Sequence, residues 1–87
     1  MAMDWEPRAE DRLRKLLLQL DKRIRESHEA RAREAAETHA RAHGLRVINV
    51  DAATVGFVKA ASTMDKPQVK SALQRVGLNP QSYEDFF

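Results

Sequence analysis

Apolar residues recur along this chain at three- and four-residue steps, which is the period of helices rather than the alternation of strands. The first stripe is Leu13, Leu16, Leu17, Leu20 and Ile24, extended backwards by Ala9. Leu18 lies off the stripe, and Arg14, Lys15, Lys22 and Arg25 occupy the opposite face. Pro7 opens this helix, because a proline in the first turn lacks only an N–H that would go unpaired there. Asp4 or Glu6 stands just ahead of it. No glycine or proline follows from Arg8 to His43, so one very long helix is sterically allowed. A compact chain must fold back, however. Ser27 and His28 have lower helix propensity and predict a break between Glu26 and His28.

The second helical segment, roughly Glu29 to His43, repeats Ala32, Ala35, Ala36, Ala40 and His43 at helical steps. Small residues bury little area, so this face is expected to pack on the bulky leucine stripe. Gly44 is placed to end the helix in a left-handed conformation. Leu45 to Val50 is too short for a sheet of its own. It reads as an extended connector, or as one strand that pairs with a copy of itself or with another chain. Asp51 is the expected N-cap of a third helix. Ala53, Phe57, Ala60, Ala61 and Met64 form its stripe, with Val55 and Val58 flanking, so it should be buried on most sides. Asp65 and Pro67 mark a fourth helix with Val69, Ala72, Leu73 and Val76 on its apolar face. Gly77 ends it, and Leu78 folds back onto Leu73. Asn79-Pro80 caps and opens a last short turn carrying Tyr83, Phe86 and Phe87. The predicted fold is all-α: a small bundle of four to five helices in a single domain over 1–87, with one short extended segment near residues 45–50.

Composition narrows the function classes. A chain of 87 residues makes one domain. It buries only about 60% of its unfolded surface, which leaves marginal stability for a partner or a second copy to supplement. With one Trp, one Tyr and three Phe, its core must come mostly from Leu, Val, Ile and Ala. The absence of cysteine excludes disulfides, thiolate catalysis and cysteine-held metal clusters. No run approaches the ~20 apolar residues of a membrane span. Met1-Ala2-Met3-Asp4 leads straight towards a charged helix with no signal-peptide pattern, so the cytoplasm is the expected compartment. The formal charge is +2. Arginines at 8, 12, 14, 23, 25, 31, 33 and 41 make nucleic-acid contacts one reading. Interleaved Glu10, Asp11, Asp21, Glu26, Glu29, Glu34 and Glu37 oppose it, since such binding needs a one-sided basic stripe.

Candidate chemistry is sparse. His39 and His43 sit one helical turn apart and make a weak metal or tetrapyrrole pair, but a zinc site needs at least a third protein ligand. Ser27, Ser62, Ser71 and Ser82 lack the strand–turn–helix setting of an activated nucleophile. No glycine-rich loop is placed to cradle phosphate. The chain is therefore read as non-catalytic and without a cofactor. Trp5 near one end and Tyr83, Phe86 and Phe87 near the other are the candidate partner-binding residues, because aromatics anchor interfaces. Self-association through Leu13 to Ile24 or Leu45 to Val50 is the simplest form of such binding.

Two runs carry a resemblance. Trp5, Pro7, Ala9, Glu10, Arg12 and Leu13 form the first, and Ala40, Gly44, Val47 and Ile48 the second. Together they resemble the small C-terminal domain of the light-independent protochlorophyllide reductase B subunit, over about residues 5–63. Residues 64–87 form an extension without a counterpart in that domain. The family's first helix usually ends in a proline-aromatic turn, whereas Leu16 to Ile24 shows none, and the spacing between the two runs is longer here. The resemblance implies a helical accessory module of a nitrogenase-like reductase. It implies binding to a partner protein, or to a tetrapyrrole, rather than reduction of protochlorophyllide by this chain.

Overall fold

Why each helix starts where it does is answered locally. A computed structural model describes residues 3–87; the expectation of an immediate entry into the first helix rests partly on Met1 and Ala2, which lie outside the described residues. Asp4–Trp5 form a strand (β1), followed by α1 (Pro7–Leu17), α2 (Lys22–Ala42), a strand β2 (Val47–Ile48), α3 (Val50–Lys59) and α4 (Lys66–Arg75). A 3-10 turn over Pro80–Phe86 ends the described chain. The all-α expectation is met, with four α-helices, one 3-10 helix and a two-strand sheet as the sole extended pairing among the described residues.

That sheet corrects one expectation. Val47–Ile48 has a partner within the chain, Asp4–Trp5, paired in parallel with Asp4 opposite Val47 and Trp5 opposite Ile48. The Glu6 N–H extends the ladder to the Ile48 carbonyl at 3.0 Å. Each strand then runs directly into a helix, so α1 and α3 start side by side. Glu6 is the residue before α1, without a side-chain cap bond. Asn49, not Asp51, caps α3: its side-chain oxygen accepts from the Ala52 N–H at 2.8 Å, and Asp51 lies in the first turn.

The break between α1 and α2 falls earlier than Glu26–His28. The chain turns at Leu18 to Leu20, and His28 lies inside α2. Three contacts set the position. Asp21 is an N-cap whose carboxylate accepts from the Arg23 N–H at 2.9 Å. The Asp21 N–H in turn reaches the Gln68 side chain of α4 at 3.1 Å. Arg25, expected on an outer face of the first helix, instead turns back over the end of α1. It donates to the carbonyls of Leu17 at 3.0 Å and Leu20 at 3.1 Å. A cation there meets the negative end of the α1 dipole and satisfies carbonyls that have no partner within the helix. Arg25→Ala should cost about 1–2 kcal/mol, with Arg25→Lys recovering part of it, as read from thermal melts.

The leucine stripe also packs differently from the expectation. Leu13, Leu16, Leu17 and Leu20 are buried against Phe57, Val58, Val69, Ala72 and Leu73 of α3 and α4. Ile24 belongs to α2 and is half-buried. Most of the Leu13–Ile24 stretch is therefore spent inside the chain, and Leu18 remains as its well-exposed apolar side chain. The alanine face of α2 meets α3. Ala32, Ala36 and Ala40 recur every fourth residue and are fully buried, and Ala52, Gly56 and Ala60 repeat that spacing along α3 and its C-cap and are buried too. The two helices run antiparallel. Ala40 shares a cluster with Ala52, the Arg31 guanidinium reaches the Ala60 carbonyl at 3.3 Å, and Gly56 lies against Ala32 and Ala36. Small residues on both sides let the backbones approach closely, so the alanine face needs no bulky partner. Ala35 is half-buried and His43 exposed.

Helix α3 is enclosed on most sides, with Ala52 through Val58 all buried. Met64 departs from its predicted stripe: it sits in the α3–α4 turn and is 89% exposed. At the two helix ends, Gly44 (φ 70°) and Gly77 (φ 87°) adopt the left-handed conformation. The Leu45 N–H bonds the Ala40 carbonyl and the Leu78 N–H the Leu73 carbonyl, both at 2.8 Å, which is the expected cap in each case.

Candidate functional site

The last turn is positioned by its own sequence. Gly77 reverses the chain after α4, and Asn79 caps the 3-10 helix by accepting from the Gln81 N–H at 3.0 Å. Proline 80 fits its first position. Tyr83, Phe86 and Phe87 then lie half-buried against the leucine-rich core, each keeping part of its ring in water. Lys59 of α3 places its ammonium 5.5 Å from the Phe86 ring centroid, and Lys70 of α4 lies 5.2 Å from that of Phe87. Lys70 also approaches Glu84 at 4.0 Å. The result is an aromatic surface with a basic rim. Neither lysine was singled out in the sequence, because nothing in its spacing links residue 59 or 70 to residues 86 and 87.

Trp5 is also half-buried, but among other neighbours. The Arg33 guanidinium lies 4.8 Å from its ring centroid. Arg33 grips Glu10 with two bonds of 2.7 and 2.8 Å and also pairs with Glu29 at 3.0 Å. This cluster bolts α1 to α2. The bonds from Arg33 hold the Glu10 carboxyl below its ordinary range, and Glu10 in turn raises the affinity of Arg33 for its proton. The four candidate aromatics are thus divided into two places, Trp5 on the α1–α2 side and the other three on the last turn.

His39 and His43 do come together, with ring centroids 4.2 Å apart. His39 is buried and meets Phe86 edge to face at 5.8 Å, while His43 is exposed. Among the described residues no three His, Cys, Asp or Glu side chains gather into a metal-holding group. The third histidine, His28, is fully buried in α2 and donates from Nε2 to the Phe57 carbonyl at 2.9 Å. A carbonyl can only accept, so Nε2 carries the proton and the buried Nδ1 has no hydrogen-bond partner. Burial lowers the proton affinity of both His28 and His39.

The concave surfaces are open and mixed in charge. One open groove runs between α1 and α2, past Glu10, Asp11, Arg14, Arg25 and Leu17, with Leu18 at its edge. Ion pairs use many of the basic residues: Arg14 and Lys15 with Asp11, Arg23 with Asp21, Arg33 with Glu10 and Glu29, and Arg41 with Glu37. Pairing of this kind breaks up a continuous basic stripe. No described helix is long and apolar enough to cross a membrane. No family model matches the chain, and no curated protein or solved structure matches it.

Proposed function

We propose that this chain is a non-catalytic docking module that binds a protein partner through the aromatic surface of its last turn. The observation that carries the reading is the placement of Tyr83, Phe86 and Phe87 on one short turn, each half-exposed, with the ammonium groups of Lys59 and Lys70 beside them. Aromatic side chains lose little conformational entropy on binding and fill pockets, which is why few such residues dominate many interfaces. The basic rim favours a partner with an apolar pocket edged by carboxylates.

An accessory role like that of the resembling reductase domain is supported by one feature of the fold. Its two signature runs meet, since Trp5 is the register partner of Ile48.

A photo-crosslinking residue tests the reading. Placed at Phe87, it should trap one protein from native-cell extract, saturably and in competition with added unlabelled chain. Placed at Glu26, on the exposed face of α2, it should trap none. Equal trapping at the two positions, or none at Phe87, overturns the proposal. Light scattering over a concentration series separates a second copy from a different protein as the partner.

A further inference from the structure

We propose that the Pro80–Phe86 turn is a strap released by acid, docked while the His39 imidazole is neutral and freed when that ring takes up a proton. The inference goes beyond the docking reading: it concerns the free chain and requires no partner. Phe86 carries a ring contact between the strap and α2, its ring perpendicular to that of His39 at 5.8 Å. With the strap in place His39 is only 8% exposed. The groups that face it are mostly cationic or able to become so. His43 stacks at 4.2 Å from the next turn of α2, and Lys59 of α3 stands over the other partner of the contact, Phe86. Asp51 of α3 acts in the opposite sense, as the acid whose field favours a charged His39. Glu84 and Asp85 of the strap itself are exposed, and Glu84 is directed to Lys70.

Charging His39 in the docked state therefore places a cation in a poorly hydrated position beside Lys59 and His43. Removing Phe86 returns water to the ring. The docked form binds fewer protons than the released form, so falling pH moves the equilibrium towards release. The strap is lightly held. It has no fully buried residue, and its one ion pair among the described residues spans 4.0 Å. Segments with few buried contacts open at far lower cost than the whole domain. Burial is the largest cause of the lowered proton affinity of His39, followed by His43 and Lys59, which agrees with the geometry.

The test is an NMR titration of the whole chain from pH 7.5 to pH 5. Backbone and ring signals of residues 80–87 should move to unstructured positions with the midpoint of the His39 ring. The released fraction should rise several-fold while α1 signals hold. In His39→Gln the strap should stay docked throughout. In Phe86→Ala the His39 titration should move up towards that of an ordinary histidine, and this variant decides the matter if His39→Gln does not fold. Strap signals that stay docked while His39 is charged overturn the proposal. So does release that persists in His39→Gln, release that comes only with loss of the α1 signals, or an unmoved His39 titration in Phe86→Ala.

Discussion

Gly56→Ala should lower the melting temperature by about 10–25 °C, even though alanine is the better helix former. A methyl group at position 56 would sit 2.5 Å from the Ala32 carbonyl oxygen and 2.6 Å from both the backbone nitrogen and the methyl of Ala36. Two of these three obstacles are backbone, so no side chain can swing aside. Helix α2 itself must move away from α3, opening the contact that runs from Ala32 to Ala40. Alanine gains about 1 kcal/mol of helix propensity over glycine. Overpacking of a core typically costs about 1–3 kcal/mol, and more when the backbone must shift. The net loss should be about 2–4 kcal/mol, and each kcal/mol moves the midpoint of a domain this size by about 4–8 °C. Gly44→Ala is the control. It meets open space and carries only the strain of a positive φ, so its loss should be smaller. Circular dichroism melts of the two variants check the contrast; equal losses would show that close approach is not what Gly56 provides.

The second large effect is a loss of stability in acid, set by His28. In the native chain its Nε2–H is bonded to the Phe57 carbonyl and its Nδ1 is sealed in the core. A proton arriving at Nδ1 would find no acceptor and would charge a fully buried ring. The native state therefore resists protonation below the ordinary histidine value, whereas the unfolded chain accepts the proton near pH 6.5. Across the window below that value the unfolded state binds more protons, so stability falls as pH falls. The slope should approach ~1.4 kcal/mol per pH unit for this one group. The bond to Phe57 opposes the effect, Arg31 adds to it and Asp65 opposes it, each less strongly than burial. Urea unfolding at pH 7.5 and pH 5 measures the difference. His28→Gln offers an amide donor towards Phe57 with no titration, and should flatten most of the dependence. A wild-type chain equally stable at both pH values would overturn the account.

What the sequence made legible was local. Pro7, Pro67 and Asn79-Pro80 mark helix starts because proline and asparagine act through their own backbone. Gly44 and Gly77 mark helix ends for the same reason. The misplaced break shows the limit. Ser27 and His28 are weak helix formers, but a difference of a few tenths of a kcal/mol per residue yields to tertiary packing. Burial of His28 on Phe57 keeps it inside α2. The true turn had a local sign in Asp21, an N-cap residue that the continuous run of leucines concealed. Its other determinant, Arg25 reaching back over α1, is visible only in three dimensions.

Asn49, two residues before the expected Asp51, has a similar capping propensity, and the pairing of Ile48 with Trp5 selects it by fixing where β2 stops. The close α2–α3 contact was readable in principle. Small residues at 32, 36 and 40 answer small residues at 52, 56 and 60, and each series repeats every four positions. The aromatic turn was legible as a cluster, since its residues are neighbours in the chain. Its surroundings were not, because Lys59, Lys70 and His39 arrive from three different helices.

The two-rung ladder between Trp5 and Ile48 has a kinetic meaning. More than forty residues separate its strands, so the pairing closes a long loop for very few hydrogen bonds. It cannot nucleate the domain; α2 must first lie down on α3. Such a ladder is a clasp fastened late.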